Sequence, residues 1–206
     1  MPKIVDKAAK RQEILEAAIA VFVEKGYHGS KMADIAVAAG MGKGTLYEYF
    51  PTKESLPKEI FNLFFNEVDD QLAQLQQSEQ SPIDIILAGM QLSLTDMDEF
   101  AMVVPLCFEL LGSKALSESL GLTEYFEEWL GKLNQFFVNI LVAGQERGQI
   151  NPDVNASAFA RLLVSVLDGL GLHYCIFSME TNFFQKQCKE LETMIRKRLT
   201  PDLEVR

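Results

Sequence analysis

Histidine, cysteine and long apolar runs are all scarce in this 206-residue chain, and each scarcity removes a class of function. His28 and His173 are the only histidines, and neither sits in an E-x-x-H or H-E-x-x-H pattern. Carboxylate-bridged di-iron sites and zincin sites are therefore excluded. Cys107, Cys175 and Cys188 are odd in number, widely spaced and lack a C-x-x-C pair, which excludes a disulfide framework or cysteine zinc site. Reduced buried thiols are the simplest role for them; redox sensing by Cys107 or Cys175 is the alternative. The most apolar stretch, Phe159 to Phe177, is interrupted by Arg161, Asp168 and His173, so no membrane-spanning helix is expected. The N-terminal MPKIVDKAAKRQ has lysines with no apolar region behind them, so no secretory signal is expected and the expected location is the cytoplasm. There is no G-x-S-x-G elbow. The run Gly40-Met41-Gly42-Lys43-Gly44-Thr45 fails as a phosphate loop: Val37 holds the first glycine's place, and Gly44 intrudes where Ser or Thr should follow the lysine. No enzyme, metal or cofactor is expected.

What is present is apolar material with an uneven charge. The chain is 48% hydrophobic, enough for a sizeable core and too much for a disordered tail. Its net charge of -10 argues against a polyanionic partner. Residues 1–53, however, carry eight Lys/Arg against six acids, whereas residues 54–206 carry 11 against 23. A mildly basic head on an acidic body would meet a polyanion with the head.

Nearly everything reads as helix. Gly and Pro fall between stretches with 3.6-residue periodicity, and strand-like alternation is absent. A first helix is expected from Asp6, as N-cap, to Lys25, stopped by Gly26. Short helices follow at about 32–39 and 43–50. A long helix begins near Lys53 with Thr52 as its cap, and Pro57 in its second turn would bend it. Further helices are expected at about 82–96, 99–111, 114–120, 123–148, 155–178 and 181–199. The fold class is all-α, with domains 1–53 and 54–206.

Helix, glycine turn and second short helix is the geometry of a helix-turn-helix. Met32 or Ala33, Ile35, Ala36 and Ala39 supply an inward face, Gly40 the left-handed turn, and Leu46, Tyr49 and Phe50 the anchors of the second helix. Lys43, Thr45, Tyr47 and Glu48 are left on or near its outer face.

The run Gly26-Tyr27-x-x-Ser30-Lys31-Met32-Ala33-Asp34-Ile35-Ala36, followed by Ala39-Gly40-Met41-Gly42-Lys43-Gly44-Thr45-Leu46-Tyr47-Glu48-Tyr49-Phe50-Pro51-Thr52-Lys53-Glu54-Ser55-Leu56, resembles the DNA-binding signature of TetR-family transcriptional regulators. Leu167-Asp168-Gly169-Leu170 is a weaker echo of the same family. The resemblance implies that the helix at about 43–50 enters the major groove of a double-stranded operator. Lys43, Gly44 and Thr45 would read base edges, with Tyr47 and Lys53 on phosphates and Lys31 and Met32 on flanking phosphates. Lysine to guanine and the threonine methyl to thymine suit that task independently. Two positions depart from the family pattern: Gly42 replaces a capping Ser or Thr, and Glu48 would repel phosphate unless it accepts from cytosine or points away.

The resemblance further implies a helical effector-binding and dimerisation domain, a homodimer on a palindromic operator, and repression as the default. Helices 155–178 and 181–199 are the expected dimer surface, with Gly169 and Gly171 permitting close approach; relief of crowding within one subunit is the alternative for these glycines. A small apolar or amphipathic effector is expected in a pocket lined by Met90, Met97, Met102, Cys107, Phe108, Trp129, Phe136 and Phe137, with Asp168, His173 and Tyr174 supplying polar contacts. An effector that binds the operator-incompetent state more tightly would release the DNA, with the helix from Lys53 as the mechanical link. The rival reading is a helical small-molecule carrier without a DNA role.

Overall fold

The computed structural model describes residues 6–95, 97–177 and 179–201, and among these all regular structure is helical. The helices are α1 (Lys7–Gly29), α2 (Met32–Ala38), α3 (Lys43–Tyr49), a 3-10 turn (Lys53–Ser55), α4 (Leu56–Gln76), α5 (Pro82–Ser93), α6 (Met97–Gly112), α7 (Lys114–Leu120), α8 (Leu122–Glu146), α9 (Ala156–Ile176) and α10 (Thr181–Leu199).

Local chemistry accounts for most of these boundaries. Asp6 accepts from the Ala8 and Ala9 amides at 3.0 and 3.3 Å and starts α1. Ser81 caps α5, whose first residue, Pro82, needs no amide partner. Asn155 caps α9 through the Ala158 amide at 2.9 Å. Gly26 departs from helical geometry at φ 71° and ends the regular part of α1. Gly40, at φ 62°, closes α2: the Met41 amide reaches back to the Ala36 carbonyl at 2.9 Å.

Pro57 stands one turn earlier in its helix than expected. The chain makes a 3-10 turn at Lys53–Ser55, so α4 begins at Leu56 and Pro57 is its second residue. In a first turn the missing amide breaks no helical bond.

The chain divides into two compact units, and the division falls inside α4, α6 and α8. One comprises the described residues up to Phe65 together with Met102–Phe126; the other comprises Asn66–Ala101 and the chain from Glu127. The boundary expected at 53 thus lies inside the first unit, because the N-terminal segment packs with residues 102–126 across a large sequence separation. In the first unit Ile14, Ala18, Ile35, Leu46, Ile60 and Phe61 are completely buried. Phe61, Phe65, Tyr125 and Phe126 form an aromatic cluster, and the Tyr125 hydroxyl donates to Asn62 at 2.7 Å. The second unit has its own core around Ile86, Met90, Phe137, Leu141, Val164 and Leu167. In it α10 packs on α5 and α9, and the Asn151 amide donates to the Leu199 carbonyl at 2.8 Å.

One helix departs from the expectation of no membrane-length segment. By length and composition α9 is apolar enough to cross a bilayer, with a mean hydropathy of 1.4 over its best window. It carries Arg161 and Asp168, and only 28% of that window is buried.

Candidate nucleic-acid interface

A seven-residue helix with one exposed flank is the centre of the first unit's chemistry. In α3 only Leu46 is buried; Gly42, Lys43, Gly44, Thr45, Tyr47 and Glu48 are all exposed. The period explains this: one inward residue per turn leaves the remainder of a short helix in solvent. Lys43 sits at the first turn beside Gly44 and Gly42, where nothing would lie within 4 Å of an added Cβ. A base edge can therefore approach the α3 backbone closely. Lys31 is exposed at the start of α2. Its amide donates to Asp34 at 2.9 Å, and Lys25 donates to the other Asp34 oxygen at 2.9 Å. The Lys25 hydrogen bond, joined by the backbone one, holds the Asp34 carboxyl below its usual range.

Two residues expected to contact DNA have inward-set side chains. Met32 is 8% exposed and is buried in α2 together with Ile35 and Ala36. Lys53 is turned inward. Its ammonium donates to the Tyr27 carbonyl at 2.8 Å and the Ser30 carbonyl at 3.1 Å, and lies 4.3 Å from the Tyr27 ring centroid. Two of its three donors are spent on the corner where α1 runs into α2.

A carboxylate holds that same corner from the other side. Glu109 accepts from the Tyr27 amide at 2.7 Å and the His28 amide at 3.1 Å. A Cβ on Gly26 would lie 3.3 Å from the carboxylate, so glycine serves here both the positive φ and the close approach. Tyr27 itself is buried, and its hydroxyl has no hydrogen-bond partner among the described residues. Burial, reinforced by Glu54 and Glu109, pushes its phenol up to about 12.

The expected effector residues scatter. Met90, Phe136 and Phe137 are core, and the two rings occupy the space a side chain at residue 89 would need, 2.7 Å from its Cβ position. Met102 and Phe108 are more than half exposed on the first unit's part of α6, and Cys107 beside them is half-buried. These five are core or surface because helix period alone does not say which apolar face a neighbour covers. In the second unit Trp129 donates to Asp69 at 3.1 Å, and Tyr174 donates to Asp98. The Cys175 thiol donates to the Met97 carbonyl, and the Met97 sulfur would lie 3.4 Å from a Cβ on Gly171, an ordinary contact distance. Gly169 is open. His173 is exposed and edge-on to Phe177, with ring centroids 5.3 Å apart. Asp168 lies on the outer side of α9; local burial raises its carboxyl, partly offset by Arg161.

Sequence reasoning missed a groove in the second unit, lined by Gln71, Gln74 and Leu75 of α4 and by Ala88, Gln91 and Leu92 of α5, with a volume of about 630 Å³. Glutamines on helix surfaces carry no motif, so nothing in the sequence marked it.

An exposed, glycine-flanked short helix behind a tight turn defines a helix-turn-helix DNA-binding unit. Residues 14–60 match the family described as bacterial regulatory proteins, tetR family. The chain is similar to the transcriptional repressor DhaR of Mycobacterium sp. strain GP1, 24% identical over 94% of each chain. It is also similar to the repressor KstR2 of Rhodococcus jostii, 25% identical over 76% of each. Among solved structures it resembles the fatty acid degradation regulator FadR from Bacillus halodurans, with a TM-score of 0.74, 21% identity, and coverage of 96% of this chain and 97% of that one. The family match thus falls on the helix-turn-helix region of this chain, and the similarity to these regulators runs over most of its length. Regulators of this family bind operator DNA and small-molecule effectors and function as dimers.

Proposed function

We propose that this protein is a repressor that binds a palindromic operator as a homodimer through α3 and is released by a small apolar or amphipathic effector. The observation that carries the reading is the fully exposed outer side of α3, with Lys43, Thr45 and Tyr47 displayed and the helix held from behind by Leu46. Lys43 and Thr45 read bases, Tyr47 and Lys31 hold phosphate, and the smooth Gly42–Gly44 surface admits the groove.

The homodimer forms through α9 and α10. Leu162, Leu172 and Ile176 make an exposed apolar stripe on α9 around the open Gly169, and Phe183 and Met194 continue it on α10. Such a stripe, standing in water in one protomer, is covered by the same stripe of a second in a helical bundle. This accounts for the low burial of α9 without a membrane.

The effector binds in the methionine- and phenylalanine-rich body. FadR is described as a regulator of fatty acid degradation, which makes an amphipathic carboxylate the first class to test. Trp129, the single tryptophan, is half-buried in the second unit and serves as the reporter.

The deciding experiment selects a duplex from a randomised library with the wild-type chain and measures its affinity. Lys43→Ala should lose affinity for the selected duplex at least tenfold, about 1.4 kcal/mol. Unchanged affinity, or no enriched sequence at all, would return the protein to the carrier reading. Titration with decanoate should quench or shift Trp129 emission and release the duplex; a flat response eliminates that effector class.

A further inference from the structure

Arg11 stands on α1, away from the exposed side of α3, yet it is built into the recognition helix's end. Its guanidinium donates through one terminal nitrogen to the Tyr49 carbonyl at 3.1 Å. The other terminal nitrogen pairs with Glu59 of α4 at 3.2 Å. The plane lies over the Phe50 ring, 4.4 Å from its centroid. Tyr49 is the last residue of α3, and its carbonyl has no partner inside the helix. Phe50, only 1% exposed, is where the chain leaves that helix. One planar fork therefore joins α1, α4 and both residues at the exit of α3. Lysine cannot make this set of contacts, because it lacks the flat stacking surface and the fixed pair of donors.

The need for such a joint follows from how little else restrains α3. It is seven residues and about 10 Å long. It buries a single residue, Leu46, at its midpoint, and Gly42 offers no side-chain cap at its start. A short rod gripped at its centre keeps its pitch only if an end is fixed as well. The fixed end here is the exit at Tyr49 and buried Phe50, under the Arg11 guanidinium. A tilt of about 10° about Leu46 moves side-chain tips some 10 Å away by about 2 Å, far outside hydrogen-bond tolerance for a base edge.

We infer that Arg11 is a positioning residue for operator recognition: it fixes the pitch of α3 from behind, touches no nucleotide, and sets how well the protein separates its operator from other DNA. This rests on α3 being the reading helix. The ion pair with Glu59 is about 40% exposed on both sides, so it steadies the guanidinium more than it stabilises the fold.

The test uses the full-length chain, the duplex selected by the wild type, and a scrambled duplex of the same length and composition, each titrated across a range of salt concentrations. Arg11→Met should lower the ratio of affinities for the two duplexes about tenfold or more. The dependence of log affinity on log salt for the scrambled duplex should stay as in the wild type. Arg11→Lys should fail to rescue the ratio, and Glu59→Gln should show a smaller fall in the same direction. A salt slope lower by about 0.9, with equal losses on both duplexes and rescue by Arg11→Lys, would make Arg11 a phosphate contact and overturn the proposal. A lower melting temperature with an unchanged ratio would reduce it to a fold contact and overturn it too. If Arg11→Met does not fold, Arg11→Lys and Glu59→Gln decide by the same ratio. A wild-type chain that enriches no sequence would overturn the DNA-binding reading itself, and this inference with it.

Discussion

The two units of this protein differ in how much of their charge holds backbone rather than other side chains. In the first, ionic groups reach past the surface to grip backbone: Lys53 holds the Tyr27 and Ser30 carbonyls, Glu109 the Tyr27 and His28 amides, and Arg11 the Tyr49 carbonyl. In the second, Arg198 does the same, donating to the Asp153 carbonyl at 2.9 Å, while Arg196 pairs with Asp84 and Glu192, Lys189 with Glu192, and Lys132 with Glu128 in solvent. A side chain that binds a peptide group fixes the path of the chain, whereas two exposed side chains that bind each other fix very little. The unit that carries the short exposed helix α3 sets three charged side chains on backbone around it and around the α1–α2 corner.

This contrast can be broken at three places. The largest effect is expected at Glu109. Its replacement by alanine leaves two peptide amides without their charged acceptor and should destabilise the first unit by about 2 kcal/mol, with faster amide hydrogen exchange at Tyr27 and His28. Unchanged exchange at those amides would show that the corner holds itself.

Tyr27→Phe tests the same corner through pH. The phenol is raised from 10 to about 12 by burial, so folding favours its neutral form. That contribution is complete below pH 10 and is lost as pH rises through 12. Wild-type stability should therefore fall across pH 10–12 more steeply than that of the variant. At pH 7 the variant should match the wild type or exceed it by up to about 1 kcal/mol, since the hydroxyl has no partner and the ring still faces Lys53. Parallel pH profiles would count against the burial account.

The smallest effect belongs to the second unit. Arg196→Ala removes exposed ion pairs to Asp84 and Glu192 and should cost no more than about 0.5 kcal/mol by thermal unfolding. A loss as large as that at Glu109 would erase the difference between the units.

Much of the fold was legible because its signals are local. Asp6, Asn155 and Gly40 act on amides or carbonyls within five residues, and the expected helices at 114–120 and 181–199 match the observed ones to the residue. The outer residues of α3 were legible for the same reason: once Leu46 faces inward, the period places Lys43, Thr45 and Tyr47 outside. The inward setting of the Lys53 and Met32 side chains was not legible, because resemblance gives a position its usual role without weighing what packs on it. Pro57 depended on whether one turn was α or 3-10, a difference of one hydrogen-bond step. Arg11 and Glu109 looked like ordinary helix-surface charges, since their backbone partners lie 38 and 82 residues away.

Read alone, the amino-acid order determined an all-helical chain with a helix-turn-helix near its N-terminus and an exposed outer side on its second helix, because caps, turns and periodicity act over a few residues. Only the tertiary structure decided that residues 102–126 pack with that N-terminal region, that Lys53 faces inward, and that Arg11 and Glu109 grip distant backbone. Those choices depend on which segments meet across many tens of residues, and no local preference encodes such a meeting.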